Sequence, residues 1–250
     1  MTPIRSTALW LGLGACCAPA FGQATPAPRT SVGMEVALGS GHADRGFVIS
    51  DRPVFQPVVW ISARLAEFSV WGNLPLAQTT DGQRPQILEL ELSRERKRGN
   101  LTIAPAIRAF FYHDPLSIYS THSIEGWLTL SYGTGPVKLI TQQSIDVLTY
   151  RGAYYGEAGI KTEGPVSQRI EVGGSLSAGW ASSKFNAAYV DVAASGWQRV
   201  SVAGWLTAHV TPHYYIGPHI EFSRIVNPRV RATLARPSFL FVGITTGIES

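Results

Sequence analysis

Residues 170–180 read IEVGGSLSAGW, residues 200–210 read VSVAGWLTAHV, and residues 214–222 read YYIGPHIEF. In the first run Ile170, Val172, Leu176 and Trp180 alternate with Glu171, Gly173, Ser175, Ser177 and Gly179. The second sets Val200, Val202, Leu206 and Val210 against Arg199, Ser201, Thr207 and His209. The third sets Tyr214, Ile216, Ile220 and Phe222 against Tyr215, Gly217, His219 and Glu221. This is the period-two pattern of a strand with two unlike faces. Strands of soluble sheets average about 5–6 residues. Longer runs, apolar on one face and polar or small on the other, match a barrel that crosses a membrane. There about 9–11 tilted residues span the hydrocarbon, and closure leaves no unpaired edge. The competing reading is a soluble β-sandwich with long strands.

The connections separate the two readings. Outside the quoted runs, alternation predicts strands near 32–40, 53–63, 66–73, 87–96, 101–112, 124–132, 137–147, 153–162 and 238–248. Short turns and longer loops then take turns along the chain, with the connection after the seventh strand intermediate. Even-stranded outer-membrane barrels have this rhythm, with short periplasmic turns and longer external loops, and a sandwich has no reason to show it. The expected fold is therefore all-β: a closed antiparallel transmembrane β-barrel of twelve strands. With both termini periplasmic, Phe111, Tyr154 and Trp180 fall near the outer end of the lipid face, and Tyr132 and Tyr214 near the inner end, as aromatic girdles do. Two strands are ambiguous. Residues 53–63 are apolar on both faces and carry Pro53 and Pro57, which weaken a central strand. Residues 137–147 alternate poorly.

Composition agrees with a wall half in lipid. Charged residues make up 15% and hydrophobic residues 45%, yet no apolar run is long enough for a transmembrane helix. The net charge of +4 is scattered, which argues against a nucleic-acid partner. The one basic run, 94–98, contains Glu95 and reads as a solvated turn.

The N-terminus has the features of an export signal over residues 1–22. Arg5 precedes an apolar stretch, and Ala20-Phe21-Gly22 precedes a cut before Gln23. Alternatively, Leu13-Gly14-Ala15-Cys16 resembles a bacterial lipobox, with the cut before Cys16 and acylation of that cysteine. Cys16 and Cys17 are the only cysteines, so a cut at Gln23 leaves no thiolate metal site and no disulfide. Residues 23–31 read as a flexible periplasmic lead-in, and 32–250 as one barrel domain in the bacterial outer membrane. The surroundings expected for it are outer-membrane lipid and lipopolysaccharide, with the barrel assembly machinery as insertion partner. The sequence ends Gly247-Ile248-Glu249-Ser250 rather than on the aromatic residue that closes many such barrels, and that machinery would have to tolerate the ending.

If lipid takes the apolar faces, the lumen receives Glu35, Glu89, Glu91, Glu125, Glu157, Glu171 and Glu221. It also receives Arg108, Lys138, Lys161, Arg199, His209 and His219. Opposed charges along a narrow pore select small polar or charged solutes, which points to a porin-like channel. The alternative is that these charges pair and plug the interior, leaving a scaffold or a barrel that displays its loops. A membrane-embedded lipid hydrolase is a third class. Its candidates are Ser120, His122, Ser123 and Glu125, but His122 and Ser123 would point to opposite faces of a regular strand. No cofactor is expected, and the histidines lack metal-ligand spacing.

Arg45-Gly46 followed by Ser50-Asp51-Arg52-Pro53-Val54-Phe55-Gln56-Pro57 resembles a signature of the Gcw-type, or TorF-like, group of uncharacterised bacterial outer-membrane barrels. There an Arg-Gly after the first strand precedes a Ser, a Pro and a Gln entering the second. Lone glutamates on long strands (Glu89, Glu125, Glu157) are similar too. The resemblance implies a barrel over the whole mature chain, proposed to act as a porin of unknown solute.

Overall fold

The computed structural model describes residues 30–115 and 120–250. The export signal expected over 1–22, both cysteines and most of the expected lead-in lie outside the described residues. The first strand already begins at Thr30, two residues inside that lead-in.

Twelve strands follow the chain: β1 Thr30–Gly39, β2 Val54–Ala63, β3 Glu67–Pro75, β4 Gln86–Ser93, β5 Leu101–His113 and β6 Ser120–Thr134, then β7 Val137–Asp146, β8 Tyr154–Pro165, β9 Ile170–Ala181, β10 Gly196–His209, β11 Tyr214–Ile225 and β12 Ser238–Glu249. Each pairs antiparallel with its sequence neighbours. β1 and β12 then join, from Gly33↔Glu249 to Gly39↔Gly243, and close the barrel. Closure satisfies the backbone of every strand without an edge, which the interior of a bilayer demands. The short run Arg96–Arg98 continues the wall past a break after β4 and pairs with the start of β5. The basic segment 94–98, expected to be a solvated turn, is exposed throughout, but Arg96–Arg98 is a strand and the turn falls at Gly99-Asn100.

The outer surface is an apolar belt. Val32, Met34, Leu88, Leu92, Ile107, Leu139, Leu176, Val202, Ile220, Leu240 and Val242 are all exposed. A monomer in water does not sustain a continuous apolar surface of this kind, whereas hydrocarbon covers it. Aromatic side chains stand at the two ends of the belt. At the long-loop end Trp180 donates its indole N–H to the Tyr154 hydroxyl (3.1 Å) and meets Trp197 edge-on (5.7 Å). At the short-turn end Tyr132 is exposed, and Tyr214 accepts from Thr246 (2.9 Å).

Inside, bulky rings lie over glycines on paired strands. Trp60 covers its partner Gly33, and Trp205 covers Gly173. A Cβ on either glycine would sit 2.1 or 2.3 Å from a ring atom, so the missing side chain is what allows the ring to lie flat.

The two ambiguous strands find their orientation here. In β2, Val54, Gln56, Val58 and Trp60 face inward. Val58 and Trp60 pack with Trp71 and Ile87, and Ile49 packs against the same cluster. The lumen wall is apolar at this place because it meets protein rather than water. Pro57 lacks an N–H, and the β2–β3 ladder skips from Phe55↔Leu74 to Val58↔Trp71. Pairing to β1 is unbroken, which keeps a proline tolerable in a central strand. β7 alternates poorly because Ile140 faces inward while Thr141 and Gln143 face outward. Those two satisfy each other (2.6 Å), and the Tyr154 hydroxyl donates to Gln143.

The connection 40–53, expected to be an external loop, is different in kind. His42–Asp44 and Phe47–Ser50 form a hairpin that folds into the barrel. Its two-residue turn, Arg45-Gly46, has both residues at positive φ (49° and 92°), the geometry of a tight hairpin.

Candidate functional site

The candidate site is the lumen, and its centre is Arg45. The hairpin starts from the β1–β2 side and reaches across to β5–β8. There Arg45 Nη2 donates to both oxygens of Glu125 (2.9 and 2.7 Å). Arg45 Nε lies 3.5 Å from Asp44. Five rings surround the guanidinium at 5.2 to 6.0 Å: Phe110, Trp127, Tyr155, Phe185 and Tyr189. A cation among aromatic faces gains about 0.5–2 kcal/mol per good contact, more when water is excluded. Arg45 is only 2% exposed. Gly46 makes the approach possible, because a Cβ there would meet Ile225 at 2.5 Å and Arg199 at 3.3 Å.

The long loops close over this hairpin. Helix α1, Ser183–Val190, lies in the loop after β9, and the Ser182 hydroxyl caps it by accepting from the Phe185 N–H (3.2 Å). Phe185 stacks on Tyr189 (4.5 Å) and on Phe47 of the hairpin (6.2 Å). Asn186 donates to the Ala194 carbonyl (2.7 Å) and to Gln198 (3.0 Å), which ties the loop to β10. Helix α2, Pro228–Arg231, capped by Asn227, brings Val230 into the same cluster, together with Ile225, Ala181 and Ala153.

Around Arg45 the acidic and basic candidates gather in groups. Arg108 forms ion pairs with Glu91 and with Glu89 (3.5 Å) and lies 4.0 Å over Trp127. Arg199, 1% exposed, pairs with Glu157 (2.9 Å) and faces Glu221 (3.8 Å). The Tyr155 hydroxyl also donates to Glu157 (2.9 Å). Lower in the barrel Lys161 pairs with Glu163 (3.4 Å) and lies over Trp205 (4.8 Å). Tyr215 donates to Glu35 (2.6 Å). His219 stacks on Phe241 (4.6 Å), His209 stands against Tyr215 (6.2 Å), and Glu171 is half-buried at the short-turn end. All twelve residues, and Lys138, therefore sit on inward-facing positions. They gather around three arginines, with Glu125 on Arg45, Glu89 and Glu91 on Arg108, and Glu157 and Glu221 on Arg199, while Glu35, Lys161, Glu171, His209 and His219 stand elsewhere on the wall.

Sequence reading passed over several members. Arg45 belonged to a quoted motif but was placed in an external loop. An Arg-Gly pair between His42-Ala43-Asp44 and Phe47-Val48-Ile49 is a hairpin signal that could have located it. Gln56 donates to Asn73 (3.0 Å) and lies 3.2 Å from His42, forming a buried polar chain with no sequence signature.

Of the hydrolase candidates, Ser120 has its side chain outside the described residues, and His122 and Ser123 do not meet. Ser123 is buried and donates to Asp146, whose carboxylate also accepts the Leu148 and Tyr150 amides (2.8 and 3.0 Å). His122 is exposed on the opposite face, and its carbonyl accepts from Thr149. This serine and aspartate shape the loop after β7.

No family model matches the sequence, and no curated protein matches it either. Solved structures do resemble it. The NanC porin aligns over 88% of this chain and 98% of its own, at 13% identity and a TM-score of 0.50. An outer membrane channel from Pseudomonas putida F1 aligns over 91% and 100%, at 8% identity and 0.49. The KdgM porin, in complex with disordered oligogalacturonate, aligns over 88% and 97%, at 9% identity and 0.47. Each is named as a porin or an outer membrane channel. At such identities the likeness is one of fold.

Proposed function

We propose that this chain is a porin-like channel of the bacterial outer membrane, exported by residues 1–22, with its short turns in the periplasm and its long loops outside. We also place it with the Gcw-type, or TorF-like, barrels, because the Arg45-Gly46 of that resemblance builds the central feature of the lumen. The observation that carries the channel reading is the lining. Twelve strands enclose charged and polar side chains of both signs, whereas an inert wall of this size is held more cheaply by apolar packing. Its cargo is a small polar or charged solute, and the Arg45 hairpin, packed on Trp127 beside Arg108 and on Tyr155 beside the Glu157–Arg199 pair, is the constriction it must pass. A second reading, a plugged scaffold, is favoured by the burial of Arg45.

Planar-bilayer conductance of the refolded mature chain separates the two. Discrete steps are expected, and Glu89→Gln/Glu91→Gln, which leaves the Arg108 charge uncompensated, shifts ion selectivity toward anions. Silent bilayers from protein whose heat-shifted gel mobility reports a folded barrel select the scaffold.

A further inference from the structure

On the lipid face near the long-loop end the wall has a dent of about 450 Å³. Its sides are Pro57, Val59, Val70, Leu74, Leu88 and Phe111. The cause is local. Gly72 presents no side chain outward, and it lies beside Pro57, where the β2–β3 ladder is interrupted. The volume falls within the range of about 300–1,000 Å³ typical of small-molecule sites. Polar groups meet it at the loop end only, where Gln86 and its ladder partner His113 line it. Arg84 stands above that edge. Its Nε donates to the carbonyl of Pro75, next to Leu74 (3.1 Å), and its backbone N–H donates to Asp114 (3.3 Å). Among the described residues its two terminal nitrogens make no bond, so the guanidinium is fixed by one end and open at the other.

We infer that this dent holds one acyl chain of a phosphorylated membrane lipid, whose phosphate is gripped by Arg84. An apolar slot that opens into hydrocarbon takes an acyl chain, and a guanidinium at headgroup depth, presenting two free nitrogens, suits a phosphate. A zwitterionic headgroup would carry its own cation against Arg84 and bind less well. The inference rests on the barrel lying in a bilayer and does not depend on whether the lumen conducts.

The test is native mass spectrometry of the detergent-refolded mature chain, with folding checked by gel mobility, titrated with a diacyl phosphatidate and with phosphatidylcholine of the same chains. The wild-type barrel is expected to retain phosphatidate at least about tenfold more strongly, the worth of one hydrogen bond to a charged group. Gly72→Val fills the floor. A Cβ there makes only ordinary contacts, 3.6 Å to Pro57, so the strand accepts it, and retention of both lipids falls. Arg84→Gln leaves the slot intact and removes the preference for phosphatidate. Equal retention of the two lipids by the wild type overturns the inference. So does unchanged retention in Gly72→Val, or an undiminished preference in Arg84→Gln.

Discussion

The half of the lumen under the long loops and the half above the short turns share the same twelve strands, yet they are different interiors. In the first, Glu157, Arg199, Gln198 and Ile225 are at most 1% exposed, and Arg45 lies among five rings. In the second, Ala104, Thr129, Glu163, Glu171, Ser175 and Ala203 are half-buried, between bulky buried residues such as Trp60, Trp205 and Tyr215. A charge in the first half has lost its water and is tolerable only when paired and bonded. In the second, Glu163 and Glu171 keep some access to solvent, where pairing is worth less, whereas Glu35 and Lys161 are buried and are each held by a bonded partner, Tyr215 and Glu163. Near the loops the charges act as locks; near the turns some, such as Glu163 and Glu171, act as lining.

Arg45→Met breaks this difference most severely. It strands the Glu125 carboxylate among apolar rings, and removal of one partner of a buried pair costs about 3–5 kcal/mol. The expected outcome is release of the hairpin: the ladder amides of Phe47–Ser50 lose hydrogen-exchange protection, and single-channel conductance rises. The double variant Arg45→Met/Glu125→Leu removes both charges and is expected to restore protection. Failure of the double variant to do so would mean that the rings, rather than the ion pair, hold the hairpin.

The contrast also explains what was legible in the sequence. Strands such as β4, β9 and β11 separate lipid from lumen at every second residue, so Leu88, Leu90 and Leu92 against Glu89 and Glu91 give orientation directly. β2 does not, because its inner face packs Val58 and Trp60 on Trp71 and Ile87, where the rule of polar residues inside has no force. Likewise Glu35, Glu157 and Glu221 were readable as inward-facing. Their partners were not, because Tyr215 lies 180 residues from Glu35 and Arg45 lies 80 from Glu125. Alternation fixes a face; pairing across a barrel depends on closure and on a hairpin whose depth no local pattern encodes.

Tyr215→Phe sharpens the comparison from the other side. Its hydroxyl donates to Glu35, on the short-turn side of the hairpin, and its loss should cost about 1 kcal/mol, the net worth of an ordinary hydrogen bond. Equilibrium unfolding by urea in lipid vesicles reads that change, while the hairpin amides should keep their protection. A loss of hairpin protection in this variant would show that the two halves unfold as one unit.

The smallest effect belongs to the rim above the packed half. Asp51, in the segment after the hairpin, accepts the Thr80 amide (3.1 Å) and the Thr80 hydroxyl, and Arg236 reaches it at 2.7 Å from the loop before β12. The Thr80 hydroxyl bond, outweighing the opposing effect of burial, holds the Asp51 carboxyl below its ordinary value, with Arg236 and Arg52 adding to the shift. A carboxylate lowered on folding contributes above its unfolded pKa, about 3.9, and that contribution is lost as pH falls through the folded value. The clasp is therefore intact at neutral pH and opens only in acid. Because Arg236 is half exposed, salt near 1 M should weaken its part, where the screening length falls to about 3 Å. Asp51→Asn is expected to speed exchange of the Thr80 amide at neutral pH while leaving conductance and the hairpin amides as they were. The hairpin is held from beneath by Glu125 and the rings, so loosening three loops above it leaves its lock in place.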